Sequence, residues 1–332
     1  MSGPTDLGDD PITDLVHRAD LDGLVRLIDS FTTDREWSEL LRLRDRARAA
    51  VETGRQLWPA ATLAEYRLAL HAPPEWAARV LDGESGRFTI GPLAEVVASR
   101  LTWADLDGLV SGPVAAGVAH ERVARGEDLT GLEVAPVIEL PLALAGWERA
   151  YTVPTYSDEG IDDSAPSIQL VWSEHDLEGR NPVVVDDDES ARAFRQLVET
   201  WTDSSTGRCG FVCVEGDPLD AVTSLGLRRA RTAPVAFSDA IDLLAWAGAT
   251  GAARGRRRGA ALGRFGVWWL LAALCDLGEP WPPDPAVLGA AAGALEWRWW
   301  DGFEPSSGWR LSLCAHDRDA GLSWAMSAAD EA

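Results

Sequence analysis

The stretch Arg254–Asp276, RGRRRGAALGRFGVWWLLAALCD, constrains the fold more than any other. Four arginines in five residues are followed by about sixteen nearly all-apolar residues, interrupted only by Arg264. The apolar run is shorter than a membrane span and reads as the central buried helix of a domain. Packing accounts for its tryptophans but not for the arginines at its mouth. Acids of the same chain are expected to face them, because the formal net charge is -23.

A chain of 332 residues is too long for one small core and points to two domains. Residues 1–126 read as an all-helical domain. Apolar residues at helical spacing recur between Asp14 and Arg125, punctuated by Pro59, Pro73-Pro74, Pro92 and Pro113. The shape is that of a helical-repeat layer without a fixed sequence period. Residues 127–167 read as an acidic, proline-containing linker, solvated except where GWERAY (146–151) packs back as an anchor. Residues 168–332 read as an α+β domain. Strands are expected at 168–172, 182–185, 209–215, 295–300 and 309–314, and a closing helix at 320–329. The expected fold class is therefore α+β, a helical layer followed by a mostly antiparallel sheet of four or five strands around a central buried helix.

Composition removes several chemistries. All 30 basic residues are arginine. Without lysine there is no Schiff-base pyridoxal enzyme, no Walker-A loop and no standard protein-kinase site. The acid excess argues against nucleic-acid binding and against an anionic membrane. An acidic N-terminus without a signal-peptide pattern, and four cysteines in apolar contexts, fit the cytoplasm.

Between Arg228 and Arg264 eight arginines face two acids. Arg256, Arg257, Arg258 and Arg264 are the candidate anion site, since guanidinium forks and a helix start both favour a phosphate or carboxylate. The competing reading pairs them with the acids at 186–189 or with those of the linker. Glu215 and Asp217 are a second candidate, at a strand end where sites assemble or turns form. Cys209 and Cys213 share one strand face, which gives no metal site. Cys314, His316 and Asp317 form a weak nucleophile pattern. No cofactor is implied.

Two resemblances carry further expectations. Arg256-Arg257-Arg258-Gly259-Ala260-Ala261 resembles the R-x-x-G-x-G/A turn of the acyl-CoA-dependent acetyltransferases, which implies a pyrophosphate held at the start of the helix. That turn should follow a strand, whereas DLLAWAGATGAARG reads as helix and loop. The segments at 119–129, 139–151, 255–274 and 308–330 together resemble an uncharacterised actinobacterial family, which implies a shared fold and no activity. The resulting expectation is a cytoplasmic accessory protein without catalytic activity, meeting a protein partner through its helical layer. The alternative is an enzyme or binding protein using Arg254–Arg264 for an anionic small molecule, acyl-CoA being one candidate.

Overall fold

The computed structural model describes residues 10–81, 91–303 and 308–331. The chain divides into two compact units, one ending at Val118 and including Thr155–Asp162, the other made of Ala119–Pro154 and everything from Asp163 onward. No described helix is long and apolar enough to cross a membrane.

The first unit contains α1 (Pro11–Arg18), α2 (Leu21–Asp34), α3 (Trp37–Glu52), α4 (Trp58–His71), α5 (Pro74–Ala77), α6 (Leu93–Ala98), α7 (Trp103–Leu106) and the first turns of α8 (Gly112–Ala124). Asp10 and Asp20 accept from the free N–H groups that open α1 and α2, and Thr102 with Asp105 closes a capping box on α7. Leu24, Ile28, Leu40, Leu43 and Leu68 fill the core between them. A hairpin of β1 (Thr155–Ser157) and β2 (Gly160–Asp162) completes the unit. The Tyr66 hydroxyl donates to the Ser157 carbonyl at 2.6 Å, and the Tyr156 hydroxyl donates to Glu95 at 2.7 Å.

The second unit is built on one antiparallel sheet of seven strands: β3 (Ser173–Asp176), β4 (Val183–Val185), β5 (Arg208–Glu215), β6 (Arg229–Val235), β7 (Glu296–Asp301), β8 (Trp309–Asp317) and β9 (Leu322–Asp330). Their spatial order is β3-β6-β7-β8-β9-β5-β4. Trp297, Leu311, Leu313, Trp324 and Met326 point to the inner face, where α9 (Asp188–Leu197), α12 (Phe237–Ala249) and α13 (Ala260–Leu274) form the main core. The outer face carries a smaller core, in which Ala221 and Val222 of α11 (Pro218–Ser224) cover Val214, Ala230, Trp300, Cys314 and Ala325. The short α10 (Glu199–Asp203) and α14 (Pro285–Ala294) complete the unit.

Several expectations are corrected. The sheet has seven strands rather than four or five, because β3, β6 and β9 are strands where none was expected. The closing segment LSWAMSAAD alternates Trp324, Met326 and Ala328 inward with Ser323, Ala325 and Ser327 outward, and pairs along both edges, with β8 and β5. Its alanines favour a helix locally, and the two ladders override that preference. Pro234 of β6 is exposed and lies beyond the residues paired with β3, its one strand partner being Arg298 of β7. Residues 168–172 form no strand; Ile168 and Leu170 lean on the core while Val171 is 81% exposed. The segment before GWERAY is not solvated throughout, since Ile138 and Leu140 are buried in the main core, and Tyr151 of GWERAY is buried with them.

Candidate functional site

The helix α13 starts at Ala260 after Gly259, whose φ of 100° only glycine adopts readily. Its first free N–H groups would suit an anion, and the chain supplies one. Glu121, on the last turns of α8, accepts from the Ala261 N–H at 3.0 Å and holds Arg125 at 2.7 Å. A carboxylate of the same unit therefore stands where an incoming phosphate would bind.

The arginines separate into three settings. Arg264 is fully buried and grips Glu148 through Nε and Nη2 at 2.7 and 2.8 Å. Its other donors reach the Pro141 and Ala143 carbonyls at 2.9 and 3.0 Å. Glu148 also accepts from Trp268 Nε1 at 2.9 Å and from the Tyr151 hydroxyl at 2.6 Å. Burial pushes the Glu148 carboxyl up, but the Arg264 guanidinium and these two donors outweigh it and leave the group below its ordinary value. Arg257 pairs with Asp163 at 2.7 Å, both nearly buried. Arg258 donates to the Gln196 carbonyl at 3.0 Å and lies 3.8 Å from Glu199, and its desolvation lowers its affinity for the proton. Arg254 and Arg256 are exposed. Two of the facing acids, Glu148 and Asp163, come from the segment 127–167. The acidic run at 186–189 is used differently: Asp187 caps α9 and accepts from Trp324 Nε1 at 2.8 Å.

His120 is buried beside this cluster with no partner for Nδ1. Burial first, and Arg264 second, push its imidazole down to about 4.

The remaining candidates are placed as follows. Glu215 is exposed at the end of β5. Asp217 caps α11, accepting from the Leu219 and Asp220 N–H groups, and pairs with Arg180 at 2.8 Å. It also borders a cavity of about 220 Å³ with His175, Thr232 and Arg298. The Cys314 thiol is buried, and burial pushes it far above the ordinary thiol range. His316 turns away to Ser323 Oγ at 2.9 Å, so no nucleophile pair is assembled. The acetyltransferase-like turn at 256–261 follows helix α12 and a loop, and the strand that motif requires is not there.

Next to the cluster, the solvent side of α13 carries Phe265 and Trp269, half-buried. With Pro136, Val137, Gly278 and Trp281 they line a groove of about 500 Å³. Phe265 meets the Trp281 and Trp269 rings edge-on, at 5.5 and 6.1 Å between centroids. Val137 is 54% exposed on its lip. Sequence reasoning missed this surface because Val137 lies in a segment read as linker.

These features define a class: a helical unit joined to an α+β unit with a seven-stranded antiparallel sheet, in which Arg257 and Arg264 are paired with acids of the same chain. The chain belongs to a family of unknown function (DUF6183), whose model matches residues 22–331 and so spans both units. No curated protein and no solved structure matches the chain.

Proposed function

We propose that the chain is a non-catalytic interaction protein that docks an apolar, helical segment of a protein partner in the groove beside α13. One observation carries this reading: Phe265, Trp269 and Trp281 line an open groove with Val137 exposed on its lip. Aromatic side chains concentrated in a concave patch are the residue type that anchors protein interfaces, and a groove along a helix suits an amphipathic partner helix. The charged rim sets its polarity, with Arg258 towards one end of α13 and Glu139 beside Val137. Acidic residues of the partner belong at the Arg258 end. Support for a role without chemistry comes from the candidate groups themselves. Arg264, Glu148, Glu121 and Asp217 each make a structural pairing, and the Cys314 thiol is buried. This reading moves the partner surface from the helical layer to α13.

The test is co-purification from the native host with tagged parent, Val137→Asp and Trp269→Ala chains, each checked for folding by circular dichroism. One stoichiometric partner is expected with the parent and is lost from both variants. Recovery of the partner with Val137→Asp at the parental yield, or repeated recovery of the parent alone, contradicts the proposal.

A further inference from the structure

On the outer face of the sheet, beside α11, lies a cavity of about 290 Å³, close to the lower end of the range for small-molecule sites. Strand register builds it. Arg208, Ala329 and Arg310 stand abreast on β5, β9 and β8, and Gly210, Ser327 and Ser312 form the adjoining row. Side chains two apart on a strand share a face, so both rows look into the same space. The residues between the two arginines are small, which is what leaves room. Neighbouring strands lie about 4.8 Å apart, so the two arginine backbones stand about 10 Å apart, with their long side chains flanking the gap.

The walls are apolar. Trp300 is buried, and Leu225 and Leu227 also line the cavity. Ser312 is 2% exposed, and among the described residues neither its hydroxyl nor that of Ser327 has a hydrogen-bond partner. Two hydroxyls and two guanidinium groups lining one cavity suit a polar ligand.

We propose that this cavity binds a small organic anion carrying a flat ring. The phosphate or carboxylate sits between Arg208 and Arg310, the Ser312 and Ser327 hydroxyls donate to it, and the ring packs on Trp300. The site is independent of the groove beside α13.

Calorimetric titration at low salt, with phenyl phosphate, benzoate, inorganic phosphate and phenol as probes, tests the assignment and separates the two anion types. At least one aromatic anion is expected to bind saturably and one-to-one, about tenfold or more tighter than phosphate or phenol alone. Arg310→Gln should weaken it by about ten- to a hundredfold. Gly210→Val should abolish it with the fold intact. A Cβ at Gly210 meets Leu225 Cδ2 at 3.4 Å, a flexible side-chain end, and the methyl groups fill the cavity. Arg254→Gln, in the other cluster, should bind like the parent. Absence of saturable binding by both aromatic anions at millimolar concentration overturns the proposal. So does binding that survives Gly210→Val or Arg310→Gln unchanged.

Discussion

Glu148 meets Nε and Nη2 of Arg264 at 2.7 and 2.8 Å, with neither side chain exposed to solvent. The pair joins the segment before the hairpin to the central helix and explains how a charge can stand inside an apolar run. Removing one member leaves the other buried and unpaired. Glu148→Gln or Arg264→Leu should therefore each cost about 3–5 kcal/mol in urea unfolding. Losses under about 1 kcal/mol would show that water reaches the pair.

Glu121 is expected to matter in a way the exposed arginines do not. It is nearly buried, accepts from the first turn of α13 and pairs with Arg125. Glu121→Ala should cost about 2 kcal/mol or more, from a lost cap and an orphaned guanidinium. Arg254→Gln, at an exposed position, should stay within about 0.5 kcal/mol of the parent. Equal effects from the two would contradict this division of labour.

Acid sensitivity should trace partly to His120. Its folded imidazole is held down at about 4, so it stays neutral while the unfolded chain takes up a proton from about pH 6.5 downward. The unfolded state then binds more protons in that window, and stability falls as the pH falls, by about 2 kcal/mol at about pH 5. Glu148, held below the usual carboxylate range, adds its own loss only at lower pH. Urea unfolding at about pH 7 and about pH 5 should show a shallower dependence in His120→Gln. Parallel slopes in parent and variant would rule His120 out as the source.

Close helix contact gives a prediction of opposite signs. A Cβ on Gly263 would lie 2.3 Å from the Ala245 carbonyl oxygen, whereas at Gly117 nothing lies within 4 Å. Gly263→Ala should destabilise by about 1–3 kcal/mol despite alanine's better helix propensity, because α13 would be pushed off α12. Gly117→Ala should gain about 0.5–1 kcal/mol. Thermal melts of the two variants check both signs.

What could be read in the sequence follows physical rules. The run Ala260–Leu274 announced a buried helix because no other element hides so continuous an apolar surface, and CGFVCVE announced a strand by its β-branched and aromatic content. LSWAMSAAD misled because alanine, serine and methionine carry no strand preference of their own; only pairing to β8 and β5 decides it. RARTAPV was hidden by its arginines and proline: Arg231 is paired with Asp301 across the ladder to β7, and Pro234 lies beyond the residues paired with β3. Glu148 and Asp163 were expected as a class, being acids of the segment 127–167, but their individual partners were not. Those pairs join residues 116 and 94 positions apart, and no local pattern encodes that. The cavity between Arg208 and Arg310 was equally invisible, because strand register alone brings them to one row.

The central claim is that Arg264, inside the apolar run of α13, is structural and is held by the chain's own Glu148. A double-mutant cycle in urea, with Arg264→Met, Glu148→Leu and the combination, tests it most directly. Each single change should cost about 3–5 kcal/mol, and the double should recover enough of the loss to give a coupling of about 2 kcal/mol or more. Additive losses, with a coupling below about 0.5 kcal/mol, would mean that Arg264 does not depend on Glu148 and would contradict the account.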